Sequence, residues 1–147
     1  MYCKAQGQKF SGIVSLEGGK PTGLFHYTYN FSGGAHAGAA YNLSNKIAFT
    51  ATVGYYKFFM PNGGKGISYI PLLGGIEYHF IPKVFVAMEG GGAFATYSSG
   101  SLLACAVPSL GYQITDNISA SVNYTGFAQY GLFVGGVNLR IAYNLNL

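Results

Sequence analysis

From Val137 to Leu147 the chain alternates without a fault. Odd positions hold Val, Leu, Ile, Tyr, Leu and Leu, and even positions hold Asn, Arg, Ala, Asn and Asn. A period of two is the period of a β-strand, whose successive side chains point to opposite faces. In a soluble sheet the polar face would carry Lys and Glu toward water. Here that face is small and neutral apart from Arg140, so the apolar face is the outer one. Such an inversion suits a strand that crosses a lipid bilayer, where backbone polar groups can be satisfied only by pairing around a closed ring. A last strand of this kind must pair with the first.

Composition supports a membrane barrel. Charged residues make up 8% of the chain, against roughly 25% in soluble domains, too few to solvate a surface of this size. Yet no run of about 18 consecutive apolar residues exists, which excludes a transmembrane helix. The 23 Gly, 13 Tyr and 11 Phe favour twisted strands, tight turns and interfacial anchoring. The net charge of +4 reflects a scarcity of acids, and the lysines are scattered, which leaves no footprint for nucleic acid. Met1 to Ala5 reads as the remnant of a signal segment, because Cys3-Lys4-Ala5 has the small-x-small form of a cleavage site. Modification of Cys3 by lipid is the rival reading. The barrel domain is expected over residues 9–147.

Alternation punctuated by turn residues predicts eight antiparallel strands in up-and-down order. Phe10 to Gly18 opens the series and Pro21-Thr22-Gly23 ends it in a loop. Further strands follow over Phe31 to Leu43, Lys46 to Phe58, Ile67 to Phe80, Val84 to Tyr97 and Leu102 to Ile114. The last two begin at Ile118 and after Gly131. Each is at least as long as the roughly 9 to 11 residues that span a bilayer when tilted. Tyr41, Tyr78, Tyr112 and Tyr143 fall near one rim; Phe31, Tyr55, Phe94, Tyr124 and Phe133 fall near the other, as two aromatic girdles. Pro71 and Pro108 lie within strands, where each lacks a ladder N–H, so a bulge or a rim position is expected at each.

Pro21-Thr22-Gly23, the Ile70-Pro71-Leu72-Leu73-x-Gly75-x-x-Tyr78-x-Phe80 strand, Gly111-Tyr112 and the final Leu139-Arg140-Ile141-Ala142-Tyr143 together resemble the Gram-negative outer-membrane β-barrels. The likeness is to the small eight-stranded, porin-family-like OmpA/OmpX type. It implies an integral outer-membrane location, contact with membrane lipids and lipopolysaccharide, and insertion by the barrel-assembly machinery. It also implies a carboxyl-terminal assembly signal on Arg140, Ala142, Leu145 and Leu147, with Ala in place of Gly and Leu in place of the terminal Phe.

The inward charges are Glu17, Glu77, Glu89 and Arg140, on four different strands. The lumen of an eight-stranded barrel is just wide enough to be filled by side chains, so these groups are expected to meet as an interior ion-pair network. Buried charge demands a partner. The carboxylate left over would be satisfied by Tyr56, Tyr69, His36, His79 or water. Phe25, Tyr27, Tyr29, Phe58, Phe59, Phe127 and Tyr130 read as an aromatic rim that either contacts a partner or extends the upper girdle.

A non-enzymatic structural or binding role follows, including that of a small subunit in a larger envelope complex. A narrow pore for small solutes is one alternative. A lipid-modifying enzyme is another; it would need a base such as His26 beside Ser98 or Ser99, and no acid stands in the long loops to orient one. No His or Cys pair has metal-ligand spacing. Gly90-Gly91-Gly92 lacks the helix and Lys-Ser/Thr of a phosphate loop, so neither metal nor cofactor is expected.

Overall fold

The computed structural model describes residues 9–23, 27–64, 66–96, 101–129 and 131–146. Eight strands form one closed antiparallel barrel in sequence order: β1 (Phe10–Thr22), β2 (Phe31–Asn42), β3 (Ile47–Phe59), β4 (Ile67–Ile81), β5 (Val84–Ala95), β6 (Leu102–Gln113), β7 (Ile118–Gln129) and β8 (Leu132–Asn146). Closure is made by β8 against β1, in register from Ser11 opposite Asn146 to Thr22 opposite Gly135. Among the described residues no strand edge is left unpaired, which is what hydrocarbon requires of a spanning sheet.

Short connections at one end, here the turn end, join β2 to β3, β4 to β5 and β6 to β7. Two of them use the same chemistry. The Ser44 hydroxyl accepts the backbone N–H groups of Lys46 and Ile47 at 3.2 and 3.1 Å. The Thr115 hydroxyl does so for Asn117 and Ile118 at 3.3 and 3.0 Å, a side-chain mimic of a backbone turn. At the opposite, loop end, Gly63 and Gly131 have φ near +70° (72° and 74°), a conformation that glycine alone adopts without cost.

The faces alternate as the sequence predicts. Leu16, Leu72, Met88, Leu110, Val122 and Leu139 project outward, and the lumen receives Ser, Thr, Asn, Gly, the three glutamates and Arg140. Tyr78, Tyr112 and Tyr143 are exposed toward the turn end, and Phe31, Tyr55, Phe94 and Phe133 toward the loop end. Tyr41 packs against Phe10 at a centroid distance of 4.9 Å. Polar atoms on this outer face find partners there: the Tyr55 hydroxyl donates to Ser68 Oγ at 2.7 Å. The Phe133 ring stacks on Tyr124 at 5.8 Å and covers the space beside Gly126 that a Cβ would take.

The prolines depart from expectation. Neither Pro71 nor Pro108 makes a bulge. Opposite Ala93 and Met88 they keep register with β5. On their other side the β3–β4 ladder skips from Val53–Leu72 to Tyr56–Tyr69, and the β6–β7 ladder from Ala106–Gly126 to Ser109–Asn123, with the register unchanged. A missing N–H therefore interrupts one ladder and leaves the register intact. The register shift of β4 against β5 lies instead between His79 and Ile81, beside a turn.

An Arg at Val122 or Leu139 should cost roughly 2 to 4 kcal/mol of folding free energy in lipid vesicles, measured by reversible denaturant unfolding. Tolerance at these positions, with intolerance of Arg at Ser121 and Ala87, would mean that the two faces are exchanged.

Candidate functional site: the barrel interior

Strand register brings the interior charges together. Glu17 lies opposite Arg140 across the β1–β8 seam, and both sit near the middle of their strands. Arg140 Nε donates to Glu17 Oε2 at 3.0 Å, and Nη1 reaches across the lumen to Glu89 Oε2 on β5 at 2.9 Å. One planar guanidinium thus serves two carboxylates on opposite walls. Glu17 accepts two further bonds, from His36 Nε2 at 2.8 Å and Asn123 Nδ2 at 2.8 Å. A carboxylate can only accept here, so His36 Nε2 carries the proton. Glu89 also accepts from Thr52 Oγ1 at 3.4 Å.

Glu77 stands apart from this cluster. Its Oε1 is 2.6 Å from His79 Nε2, two residues along the same face of β4 and nearer the turn end. Of the four inward charges, three are brought together and the fourth takes its own histidine.

Glycines on the inner face make the room. A Cβ at Gly54 would collide with His36 Nδ1, and one at Gly75 would lie 2.8 Å from Glu89 Cγ. Above the ionic cluster, toward the loop end, Asn138 links four strands. Its Oδ1 accepts from Tyr56 at 2.9 Å and Ser32 at 3.2 Å, while Nδ2 donates to Asn123 Oδ1 and Thr125 Oγ1 at 3.2 and 3.3 Å. Sequence reasoning did not single out Asn123, Asn138 or Gly54. The signal available was that Asn123 and Asn138 share the inward parity of their strands and face one another in register.

Higher still the lumen is closed by an apolar plug. Tyr56, Phe58, Tyr69 and Phe127 are wholly buried, with Leu73, Leu103, Cys105, Val107 and Val134 around them. Tyr69 and Phe127 stack at 4.4 Å, and Phe58 meets each edge-on at 6.1 and 6.2 Å. Below the ionic cluster lies a small polar chamber of about 60 Å³, lined by Thr50, Glu77, Glu89, Ser121, Arg140 and Asn144 among others.

This geometry corrects the expected aromatic rim. Phe58 and Phe127 are not rim groups: β3 and β7 continue to Phe59 and Gln129, and strand parity turns both rings into the plug. Tyr29 packs against the plug and lies 5.8 Å from Phe58. Phe59 faces lipid beside Phe31 at 5.6 Å. Tyr27 is 89% exposed. Phe25, His26, Ser98, Ser99, Tyr130, Leu147 and residues 1–5 lie outside the described residues. Of the carboxyl-terminal assembly residues, Arg140 and Ala142 face the lumen and Leu145 faces lipid. Among the described residues no group of three or more His, Cys, Asp and Glu is placed to hold a metal ion.

Solved structures share this architecture. The crystal structure of Ail, the attachment invasion locus protein of Yersinia pestis, superposes with a TM-score of 0.63 at 11% identity, covering 92% of this chain and 97% of that one. The fold is that of the small outer-membrane β-barrels. Neisserial surface protein A matches with a TM-score of 0.60 at 13% identity over 95% of this chain and 97% of that one. A transmembrane β-barrel designed de novo matches with a TM-score of 0.61 at 18% identity over 92% and 95%. No protein-family model matches the chain, and no curated protein sequence does. At these identities the likeness is one of fold, and a designed barrel among the matches separates that fold from any one activity.

Arg140→Met would leave the carboxylates of Glu17 and Glu89 buried without a counter-charge, and should cost about 3 to 5 kcal/mol. Unfolding in vesicles should show that loss, with part of it recovered when Glu17→Gln and Glu89→Gln are added. An Arg140→Met protein as stable as the parent would contradict the arrangement.

Proposed function

We propose that this protein is an integral outer-membrane barrel that acts through its surface, in a structural or binding role, and neither conducts solutes nor catalyses a reaction. The observation that carries this reading is the filled lumen. An apolar plug of four wholly buried aromatic rings stands over a hydrogen-bonded ionic bridge that spans the barrel from β1 and β8 to β5. A solute crossing the barrel would have to displace both.

Several features support a surface role. The outer face carries two aromatic girdles around an apolar band, suited to stable residence among membrane lipids and lipopolysaccharide. Leu145 on β8 presents an apolar residue outward at the carboxyl-terminal end, as an insertion signal read by the assembly machinery would require. Tyr27, nine-tenths exposed at the loop end, is the described aromatic best placed to meet a partner in the envelope. The non-catalytic part of the reading rests on the two described histidines. His36 and His79 each donate to a carboxylate inside the barrel, away from any lipid substrate.

Planar-bilayer recording tests the proposal. The purified barrel should add no steady current above the lipid baseline, whereas Phe127→Ala with Tyr69→Ala, which empties much of the plug, should raise the frequency of conducting events. A steady current through the parent protein would refute the closed-barrel reading in favour of a narrow pore.

A further inference from the structure

The lipid-facing surface is uneven. Across β8, β1, β2 and β3 runs a groove of about 670 Å³, walled by Leu16, Val53, Tyr55 and Ile141 and floored by Ala35 and Ala37. Register explains the shape. Ala35 lies between Leu16 and Tyr55, and Ala37 between Val14 and Val53, so β2 contributes methyl groups where both neighbours contribute long side chains. At this depth in a bilayer the occupant of the groove is hydrocarbon.

Charge at the loop end of the same strands narrows the choice. Lys20 continues the outward column of β1, four residues or roughly 13 Å beyond Leu16 at about 3.3 Å per residue. Lys57 continues the outward column of β3, two residues beyond Tyr55, with its ammonium 5.3 Å from the centre of the Phe59 ring, stem against the apolar face and head toward the interface. No acid opposes them. The chain has four acidic residues: Glu17, Glu77 and Glu89 face the lumen, and Asp116 lies in the β6–β7 connection at the far end. Positive groups above an apolar groove, with no negative ones near, fit a lipid whose head group is an anion.

We propose that this face binds one lipid of the loop-side leaflet whose phosphate head group carries a net negative charge, an acyl chain lying in the groove across β8, β1, β2 and β3 and the phosphate held by Lys20 and Lys57. A second copy of the chain fits less well. Two barrels related by a twofold axis along the membrane normal would bring the same lysines to the same height on both sides of the contact. The site requires only that the barrel spans a membrane, so a conducting lumen would leave it standing.

The test is lipid retention. The protein is reconstituted in nanodiscs of equal parts phosphatidylcholine and phosphatidylglycerol with matched acyl chains, released into mild detergent, and weighed by native mass spectrometry. The parent should keep one phosphatidylglycerol in preference to phosphatidylcholine. Lys20→Gln with Lys57→Gln should lose that preference. Ala37→Phe, which fills the groove from outside without touching the lumen, should lose retention of both lipids at an unchanged unfolding midpoint; Ala37→Leu, a smaller filling, serves the same purpose if the Phe variant inserts poorly. Equal retention of the two lipids by the parent would overturn the proposal, as would a groove-filled barrel that still holds phosphatidylglycerol. A parent dimer that the groove-filling change splits into monomers would overturn it too, assigning the face to a second copy.

Discussion

The interior depends on one bridge, Glu17–Arg140–Glu89, drawn across the lumen at mid-height. Its cost is large in principle, because each charge leaves water for a narrow space of low polarizability. What makes it tenable is that both carboxylates are hydrogen-bonded at each oxygen, although Arg140 Nη2 and His36 Nδ1 are buried without a partner among the described residues. Glu17 accepts from Arg140, His36 and Asn123, and Glu89 from Arg140 and Thr52. The bridge also fixes register. A slip of one residue between β1 and β8 would turn every side chain of the slipped strand to the other face, leaving Arg140 or Glu17 in hydrocarbon. The seam that closes the barrel is therefore the seam that carries the ion pair.

Around that bridge the lumen divides in two. Toward the loop end, side chains grow larger and lose polarity until Phe58, Tyr69 and Phe127 fill the cross-section. Toward the turn end polar side chains are interspersed with Ile13 and Phe85 and leave the chamber beside Arg140. Glycine at Gly54 and Gly75 lets His36 and Glu89 approach the neighbouring strand's backbone, so large and small side chains share each level. This alternation is how a small barrel reaches interior packing without widening.

Much of this could be read from the sequence, because a barrel strand in lipid declares its faces through a period of two. The order of strands, the inward parity of Glu17, Glu89 and Arg140, and the meeting of β8 with β1 all follow from that period. Legibility failed where both faces became apolar. In Tyr55-Tyr56-Lys57-Phe58-Phe59 an aromatic ring stands at nearly every position, so hydrophobicity no longer separates lumen from lipid, and Phe58 was placed at the rim. Phe127 was misplaced because β7 runs on through Gly126 and Ala128, which carry little signal of either face. The prolines show a different limit. A sequence reveals that an N–H is missing but not which neighbouring strand it would have met, and so not whether the ladder bulges or is merely interrupted. Asn123 and Asn138 fall on the polar face of their strands in the sequence but carry no charge to mark them out, and their pairing depends on a register that only strand closure defines.

The central claim is that Arg140 and Glu89 interact across the lumen. A double-mutant cycle measures that directly, using the folding free energies in vesicles of the parent, Arg140→Met, Glu89→Gln and the double variant. Contact within one hydrogen-bonded network predicts a coupling of about 1 to 3 kcal/mol. Effects that add to within about 0.5 kcal/mol, as they do for distant and independent sites, would contradict the bridge.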